Sequence, residues 1–164
     1  MRAAVGVRTV AVLLAARDRS AQVRVASRQR ARAEDVCGTI RAKVAGALVE
    51  PVETGTAEQL QAALADQQLV VAAGAAGAVL LPKAARLAAR NLRLAIDLNA
   101  VPPLGIEGVQ VTDKGAEYDG VLCYGAIGVG ETKMKVHKAA VARLFESNDQ
   151  VMDAEEVYAL AAGM

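Results

Sequence analysis

A glycine-rich stretch at residues 124–145, YGAIGVGETKMKVHKAAVARLF, holds the side chains best suited to chemistry. It contains three glycines where backbone can approach a ligand closely, Gly125, Gly128 and Gly130. The apolar residues from Thr132 onward recur at helical spacing, while Lys133 and His137 lie four positions apart on another face of that helix. The ammonium and imidazole groups can therefore reach one ligand together.

Two nucleotide-binding motifs fail at this loop because their spacing is not met. A P-loop needs Lys and then Ser or Thr directly after its second glycine, but Glu131 follows Gly130. A dinucleotide fingerprint needs a glycine three residues after Gly130, and Lys133 stands there. The loop is predicted to close a site whose helix N-terminus suits an anion or a polar ring edge. The alternative is a glycine-rich turn that only packs closely.

Composition limits the classes of protein that fit. A length of 164 residues predicts a single domain, and a net charge of +1 with few aromatic residues disfavours nucleic-acid binding. The apolar run at residues 10–16 is too short to span a membrane. Cys37 and Cys123 have no partner at metal-ligand spacing, so no metal site is expected. We expect a cytoplasmic protein with reduced thiols.

Helical and strand patterns alternate along the chain, which predicts an α/β fold, a Rossmann-like doubly wound parallel sheet. Strands are predicted at residues 22–27, 47–52, 69–73 and 92–98. Helices are predicted at residues 4–17, 30–45, 56–65 and 81–90, from 132 onward, and at 153–162. Thr56 and Asp153 are the expected N-caps of two of these helices.

The amino end departs from a complete dinucleotide fold. The first strand of such a fold is central and leads into G-x-G-x-x-G, but Gly6 is assigned here to the start of a helix. We therefore predict that the first strand is absent, so that residues 1–164 form a domain truncated at the amino end. The sheet would then be gapped or rearranged, or the chain would begin inside a longer protein.

Open α/β sheets bind ligands where loops leave the carboxyl ends of their strands. Ser27 and Arg28 follow a strand, at the position where folds that prefer NAD place an acidic residue that binds the ribose 2′-hydroxyl. A hydroxyl and a guanidinium at this position favour a 2′-phosphate and hence NADP. Asp97 and Asn99 precede two prolines that stiffen the segment, which can place Asn99 beside a nicotinamide amide. A capping or Asx-turn role is the alternative for both.

Several segments together resemble the NAD(P)-dependent methylene-tetrahydromethanopterin dehydrogenases, relatives of the methylene-tetrahydrofolate dehydrogenases. These segments cover most of the chain: VGVRTVAVLLA, VRVASR, AAGAAGAVLLP, IDLNAVPPLGIEGV, YGAIGVGETKMKVHKA and LFESNDQVMDAEEVYALA. The resemblance is to the carboxyl-terminal, cofactor-binding half of that family. Of the family's phosphate loop, G-T-G-P-V-G, the sequence keeps Val5 and Gly6.

The resemblance implies where cofactor and substrate bind. It places Ala73, Gly74 and Ala75 in the small-residue turn under the ribose and phosphates, although such a turn can also serve packing alone. It implies that Gly128 and Gly130 form one wall of the pocket. It makes Lys133 and His137 the catalytic pair lining the reaction cleft. Lys133 is then a group that positions the substrate, because an ammonium would oppose the positive charge that develops on hydride loss.

The implied activity is an oxidoreductase reaction of one-carbon metabolism, hydride transfer from methylene-tetrahydromethanopterin to NADP or NAD. The resemblance also implies a homo-oligomer for the full-length parent. We expect the isolated chain to bind cofactor weakly and to be inactive, because the pterin-binding half and two phosphate-loop glycines are missing. The alternatives are a methylene-tetrahydrofolate dehydrogenase and a non-catalytic nucleotide-binding module.

Overall fold

The computed structural model describes residues 2–6, 21–147, 149–152 and 154–164. They fall into two compact units, residues 1–128 and 129–164. The first unit contains seven described strands and three described helices: β1 (Arg2–Gly6), β2 (Gln22–Ser27), α1 (Arg30–Lys43), β3 (Val49–Glu53), α2 (Ala57–Leu64), β4 (Leu69–Ala72), α3 (Lys83–Ala88), β5 (Leu94–Asp97), β6 (Lys114–Tyr118) and β7 (Val121–Tyr124). The second contains α4 (Gly130–Leu144) and α5 (Ala154–Ala162).

The seven strands form one sheet in the order β3-β2-β1-β4-β5-β7-β6. Every neighbouring pair is parallel except β6 with β7, which is antiparallel. The chain first adds β2 and β3 on one side of β1, and then returns to add β4 and the later strands on its other side. The order of the strands therefore reverses between β1 and β4. This is the 3-2-1-4-5 order of a Rossmann-like sheet, extended by a hairpin at one edge.

The predicted absence of the first strand is wrong. Residues Arg2–Gly6 form the central strand β1, which pairs in parallel with β2 on one side and with β4 on the other. Val5 lies opposite Val25, and Gly6 lies opposite Ala72. The predicted helix at residues 4–17 is therefore wrong for residues 4–6, and residues 7–17 lie outside the described residues. Five residues carry little periodicity, and their strand conformation depends on backbone pairing with distant neighbours.

Two apolar cores lie on opposite faces of the sheet, which confirms the doubly wound architecture. On one face, Val23 and Val25 of β2 pack with Cys37 and Ile40 of α1. The other face carries a core built from residues of β4, β5 and β7 together with α2 and the segments flanking α3: Leu64, Val70, Ala72, Leu81, Leu92, Ala95, Ile106 and Cys123. Along β4 the side chains alternate between the two cores, since Val70 joins the second while Val71 packs against the first.

The predicted elements after residue 20 are present with their ends shifted by no more than two residues. The strand predicted at residues 22–27 has those bounds. Thr56 is the N-cap of α2, as predicted: its hydroxyl accepts the N–H of Gln59, whose side chain in turn accepts the N–H of Thr56. Asp153, the other predicted N-cap, lies outside the described residues.

The β6–β7 hairpin is an addition that the sequence prediction missed. Its two-residue loop consists of Asp119 and Gly120, which both have positive φ (54° and 77°). Asp-Gly is a preferred sequence for this turn, because both positions must adopt left-handed backbone. β6 also contains an irregularity between Lys114 and Ala116, where Gly115 has φ 78°. At the opposite edge of the sheet, β3 contains Pro51.

In the second unit, α4 and α5 pack on each other. Ala140 is buried on α4, whereas Met134 and Val141 are exposed and Phe145 is 87% exposed. Within the part of the chain that the structure describes, no helix combines the length and apolar character needed to cross a membrane.

Candidate functional site

The predicted site residues of the first unit lie at one edge of the sheet. Ser27, Ala73, Asn99 and Gly128 follow β2, β4, β5 and β7, and all four strands run in the same direction. Val5 and Gly6 end β1 at that edge too. We call it the carboxyl edge. The loops that leave it flank the reversal between β1 and β4, where open α/β sheets bind ligands.

Arg28 presents a free guanidinium at the end of β2. Its side chain is exposed and makes no ion pair or hydrogen bond with any residue that the structure describes. Ser27 forms a local turn, in which its hydroxyl accepts the N–H of Gln29 at 3.2 Å, and its carbonyl accepts the N–H of Thr54 at 2.9 Å. Ser27 thus fixes the loop, and the binding role of Arg28 stays a prediction.

The turn after β4 is built from small residues. Ala73 and Gly74 are half-buried, and Ala75 is exposed. A Cβ at Gly74 would lie 2.8 Å from Cδ1 of Leu80, so the leucine side chain packs directly over the glycine. This contact supports the packing interpretation of Gly74 that the sequence left open. Leu80 and Leu81 then donate their N–H groups to the carbonyl of Gly105 at 2.8 and 2.9 Å, which joins this loop to the one after β5.

Asp97 holds the loop after β5. It is 1% exposed, and both carboxylate oxygens accept backbone N–H groups: Oδ1 from Asn99 at 2.9 Å and Oδ2 from Ile106 at 2.7 Å. The first bond is an Asx-turn, the alternative that the sequence offered for this residue. The two hydrogen bonds fix the backbone positions of Asn99 and Ile106, and a role of Asp97 in cofactor binding stays a prediction.

Asn99 is 7% exposed, and its Nδ2 is enclosed without an acceptor among the described residues. Gly105 lies against it, since a Cβ at Gly105 would overlap Nδ2 of Asn99 and lie 2.8 Å from Oδ1 of Asp97. Gly105 was not singled out by the sequence, although it ends the A-V-P-P-L-G segment. Buried polar atoms without a partner are uncommon in folded proteins, and the described residues hold two others, Oε1 of Gln67 and Nε of Arg86.

The glycine loop after β7 packs on backbone. A Cβ at Gly125 would overlap the carbonyl oxygen of Gln110, and one at Gly128 would overlap that of Asp113. The N–H groups of Gly125 and Ile127 donate to the carbonyls of Asp113 and Val111 at 2.9 and 2.7 Å. Close packing, the alternative offered by the sequence, therefore accounts for both glycines. The loops after β4, β5 and β7 are thereby connected by backbone hydrogen bonds.

Asp113 organises the turn that receives the glycine loop. Sequence analysis did not single it out, because a carboxylate three residues after Gln110 is no distinctive signal. Its Oδ2 accepts the N–H of Gln110 at 2.7 Å, and its Oδ1 accepts the hydroxyl of Tyr118 at 3.1 Å. Burial raises the pKa of Tyr118, and the hydrogen bond to Asp113 raises it further. The phenol therefore stays protonated and keeps donating near neutral pH.

Gly130, Lys133 and His137 belong to the second unit. Gly130 is the first residue of α4, and no atom lies within 4 Å of a Cβ built on it. Lys133 and His137 are both exposed on that helix, four residues apart. The structure thus confirms that a helix carries the pair, and their role in a site stays a prediction.

A second feature lies at the opposite, amino edge of the sheet. Arg86 of α3 is 3% exposed, and its guanidinium donates to the carbonyl of Tyr118 and to Oδ2 of Asp119, both at 3.0 Å. It fixes the tip of the β6–β7 hairpin. At the same edge, an open groove of about 740 Å³ lies between residues of α2 and the segment after α3, with Arg90 and Asn91 in its lining. These residues were not predicted, because nothing in the sequence distinguishes them from solvated polar residues.

Two curated proteins of Methylorubrum extorquens are similar to the chain. The bifunctional protein MdtA is 45% identical over 116 residues, which cover 71% of this chain and 40% of MdtA. The NAD(P)-dependent methylenetetrahydromethanopterin dehydrogenase is 32% identical over 113 residues, covering 63% of this chain and 36% of that protein. The resemblance predicted from the sequence is confirmed. The chain spans two fifths or less of the length of these relatives.

Among solved structures, the chain is similar to the crystal structure of a transhydrogenase from Sinorhizobium meliloti. The TM-score is 0.55 with 20% identity, over 78% of this chain and 37% of that one. This similarity confirms the Rossmann-like fold. No protein-family model matches the chain.

Proposed function

We propose that this chain is the NADP-binding part of an oxidoreductase of one-carbon metabolism, a methylene-tetrahydromethanopterin dehydrogenase. The observation that carries the proposal is the placement of Arg28 and Asn99. They follow β2 and β5, on either side of the reversal between β1 and β4 and at the same edge of the sheet. The relative with 32% identity bears the name of that dehydrogenase, and a dinucleotide needs polar groups on both sides of such a reversal.

Two groups of the first unit suit a nicotinamide dinucleotide. Arg28 offers an exposed guanidinium where the adenosine ribose would lie, and a guanidinium pairs with phosphate through two parallel hydrogen bonds. Asn99 holds an amide donor without an acceptor on the other side of the reversal. The first group favours NADP over NAD, because a ribose 2′-hydroxyl leaves the guanidinium without an anionic partner.

When bound, the nicotinamide ring supplies the chemistry, as it accepts the hydride from the methylene carbon of the substrate. The protein's own contribution is orientation of the two reactants. In the proposed enzyme Lys133 donates a hydrogen bond to a carbonyl of the pterin, and His137 orients the substrate beside it. Their spacing of four residues on α4 supports this pairing, since both side chains then lie on one face of the helix.

The cofactor assignment is tested by calorimetric titration of the chain with NADP and with NAD. We expect tighter binding of NADP. Arg28→Ala should weaken NADP binding about tenfold to a hundredfold, because it removes a charge-assisted hydrogen bond. It should leave NAD binding unchanged. Arg90→Ala at the amino edge is the matched control, because it removes the same exposed charge away from the site.

Two outcomes would contradict the assignment at different levels. If neither nucleotide releases or absorbs heat at millimolar concentration, the chain is not a cofactor-binding domain. If both bind equally and Arg28→Ala changes nothing, only the phosphate role of Arg28 is refuted. The substrate is tested in the longer protein, where methylene-tetrahydromethanopterin should be oxidised faster than methylene-tetrahydrofolate and Lys133→Ala should lower turnover.

A further inference from the structure

The loop between β3 and α2, residues 54–56, lies beside the backbone that carries Arg28. Strands β2 and β3 pair in parallel up to the end of β2. The pairing continues one step further, because the N–H of Thr54 donates to the carbonyl of Ser27 at 2.9 Å. Gly55 follows, and a Cβ built on it would lie 3.5 Å from the carbonyl oxygen of Arg28. The loop after β3 therefore contacts the backbone of Ser27 and of Arg28.

The side chain of Gln59 holds this loop through a hydrogen bond that helix capping does not require. In a capping box the side chain at the third helical position accepts the N–H of the N-cap residue, which is Thr56 here. Oε1 of Gln59 accepts that N–H at 3.0 Å and also the N–H of Gly55 at 2.9 Å. Gly55 thus lies between Gln59 and Arg28, since the same added Cβ would lie 3.3 Å from Oε1. One side-chain oxygen of α2 fixes two successive residues of the loop.

Arg28 is exposed, but the backbone on both sides of it is held by hydrogen bonds. The hydroxyl of Ser27 accepts the N–H of Gln29 at 3.2 Å, and the carbonyl of Ser27 accepts the N–H of Thr54. A long side chain loses conformational freedom when it binds a phosphate. A fixed attachment point limits the region that the guanidinium can reach, so less freedom remains to be lost on binding.

We infer that Gln59 is a positioning residue that strengthens the preference for NADP over NAD. It holds Gly55 against the carbonyl of Arg28, and thereby fixes the backbone from which the guanidinium reaches the 2′-phosphate. NAD has a hydroxyl in place of that phosphate, so its binding does not depend on Arg28 or on Gln59. This inference rests on the proposed function and adds the side chain that keeps Arg28 in place.

The test replaces Gln59→Met, which keeps an unbranched side chain of similar length and removes the amide oxygen. In calorimetric titration, NADP binding should weaken about three- to tenfold, the value of one neutral hydrogen bond, while NAD binding stays within about twofold of the original. The same replacement is then made in the Arg28→Ala variant. There it should change NADP binding by less than about twofold, because a residue that acts through the guanidinium has no effect once that group is removed.

Thr56→Ala is the matched control, because it breaks the same capping box from the other side. It removes the acceptor for the N–H of Gln59 and leaves both N–H groups that Gln59 accepts. It should lower the stability of α2 and leave the ratio of the NADP and NAD affinities unchanged.

The outcomes separate this inference from the proposed function. If Gln59→Met weakens both nucleotides equally or neither, or if Thr56→Ala shifts the affinity ratio as much, the positioning role of Gln59 is overturned while the proposed function stands. A loss of NADP binding that persists in the Arg28→Ala variant would overturn it too. If the unaltered chain binds neither nucleotide, the proposed function fails and this inference fails with it.

Discussion

Replacing Gly128→Ala tests whether the glycine loop is a packing element. The added Cβ would overlap the carbonyl oxygen of Asp113 and come within 2.6 Å of its carbonyl carbon. Both atoms are backbone, so relief requires movement of the chain. That movement disturbs the hydrogen bonds that Ile127 and Gly128 donate to the carbonyl of Val111, at 2.7 and 3.2 Å. Overpacking costs about 1–3 kcal/mol and each lost hydrogen bond about 1 kcal/mol, so we expect a total of about 3–5 kcal/mol.

Gly130→Ala is the matched control for this experiment. It lies two residues further on, at the first position of α4, with no atom within 4 Å of the new Cβ. Because alanine favours helix over glycine, we expect unchanged stability or a gain of up to about 1 kcal/mol. The free energy of unfolding is measured for each variant by urea denaturation followed by circular dichroism.

Equal stability of the two variants, within about 0.5 kcal/mol, would refute the packing interpretation. The same pair of variants separates packing from ligand contact. If Gly128 served only a cofactor, Gly128→Ala would weaken NADP binding without lowering the free energy of unfolding. If it packs as described, the loss of stability appears in the absence of any ligand.

Two further predictions concern stability. Arg86→Ala should lower the free energy of unfolding in urea by about 2–4 kcal/mol, because it leaves the Tyr118 carbonyl without its donor. Asp119→Asn should lower it by under about 1 kcal/mol, because that carboxylate is half exposed. Equal losses of stability in the two variants would contradict this account. Thr56→Ala should cost about 1 kcal/mol through loss of the N-cap. It should also raise the pKa of Glu58, which the backbone N–H of Glu58 and then the Thr56 hydroxyl hold below its ordinary value. A lowered pKa means that the contribution of Glu58 to stability is present above its ordinary pKa and is lost as the pH falls through its folded-state pKa. An NMR titration of the original protein and of Thr56→Ala measures the pKa of Glu58 in each. An unchanged pKa would refute the contact between Thr56 and Glu58.

The sequence predicted most of the sheet because its strands are short apolar runs between recognisable helices. β2 was placed with its observed bounds, since QVRVAS alternates buried and exposed positions. β1 was missed because Arg2–Gly6 is specified by the backbone of β2 and β4, which lie 20 residues or more away along the chain. The hairpin was missed although Asp119-Gly120 is a strong local signal for a two-residue turn.

The candidate site was predictable in its location and less so in the function of each residue. Strand ends identify the edge where loops converge, and this placed Arg28 and Asn99 on either side of the reversal. Sequence could not show that both carboxylate oxygens of Asp97 accept backbone N–H groups. Nor could it show that Gly125 and Gly128 lie against the backbone of another loop. These contacts depend on which segments of the chain meet in the folded protein. Residue spacing within one segment contains no information about that.

The two outer strands bear on how molecules of this protein behave at high concentration. β3 contains Pro51, which has no N–H to offer a further strand, and β6 is interrupted beside Gly115. Neither flank is a regular template for a β-strand from a neighbouring molecule. Fibrous aggregation by sheet extension is thereby disfavoured.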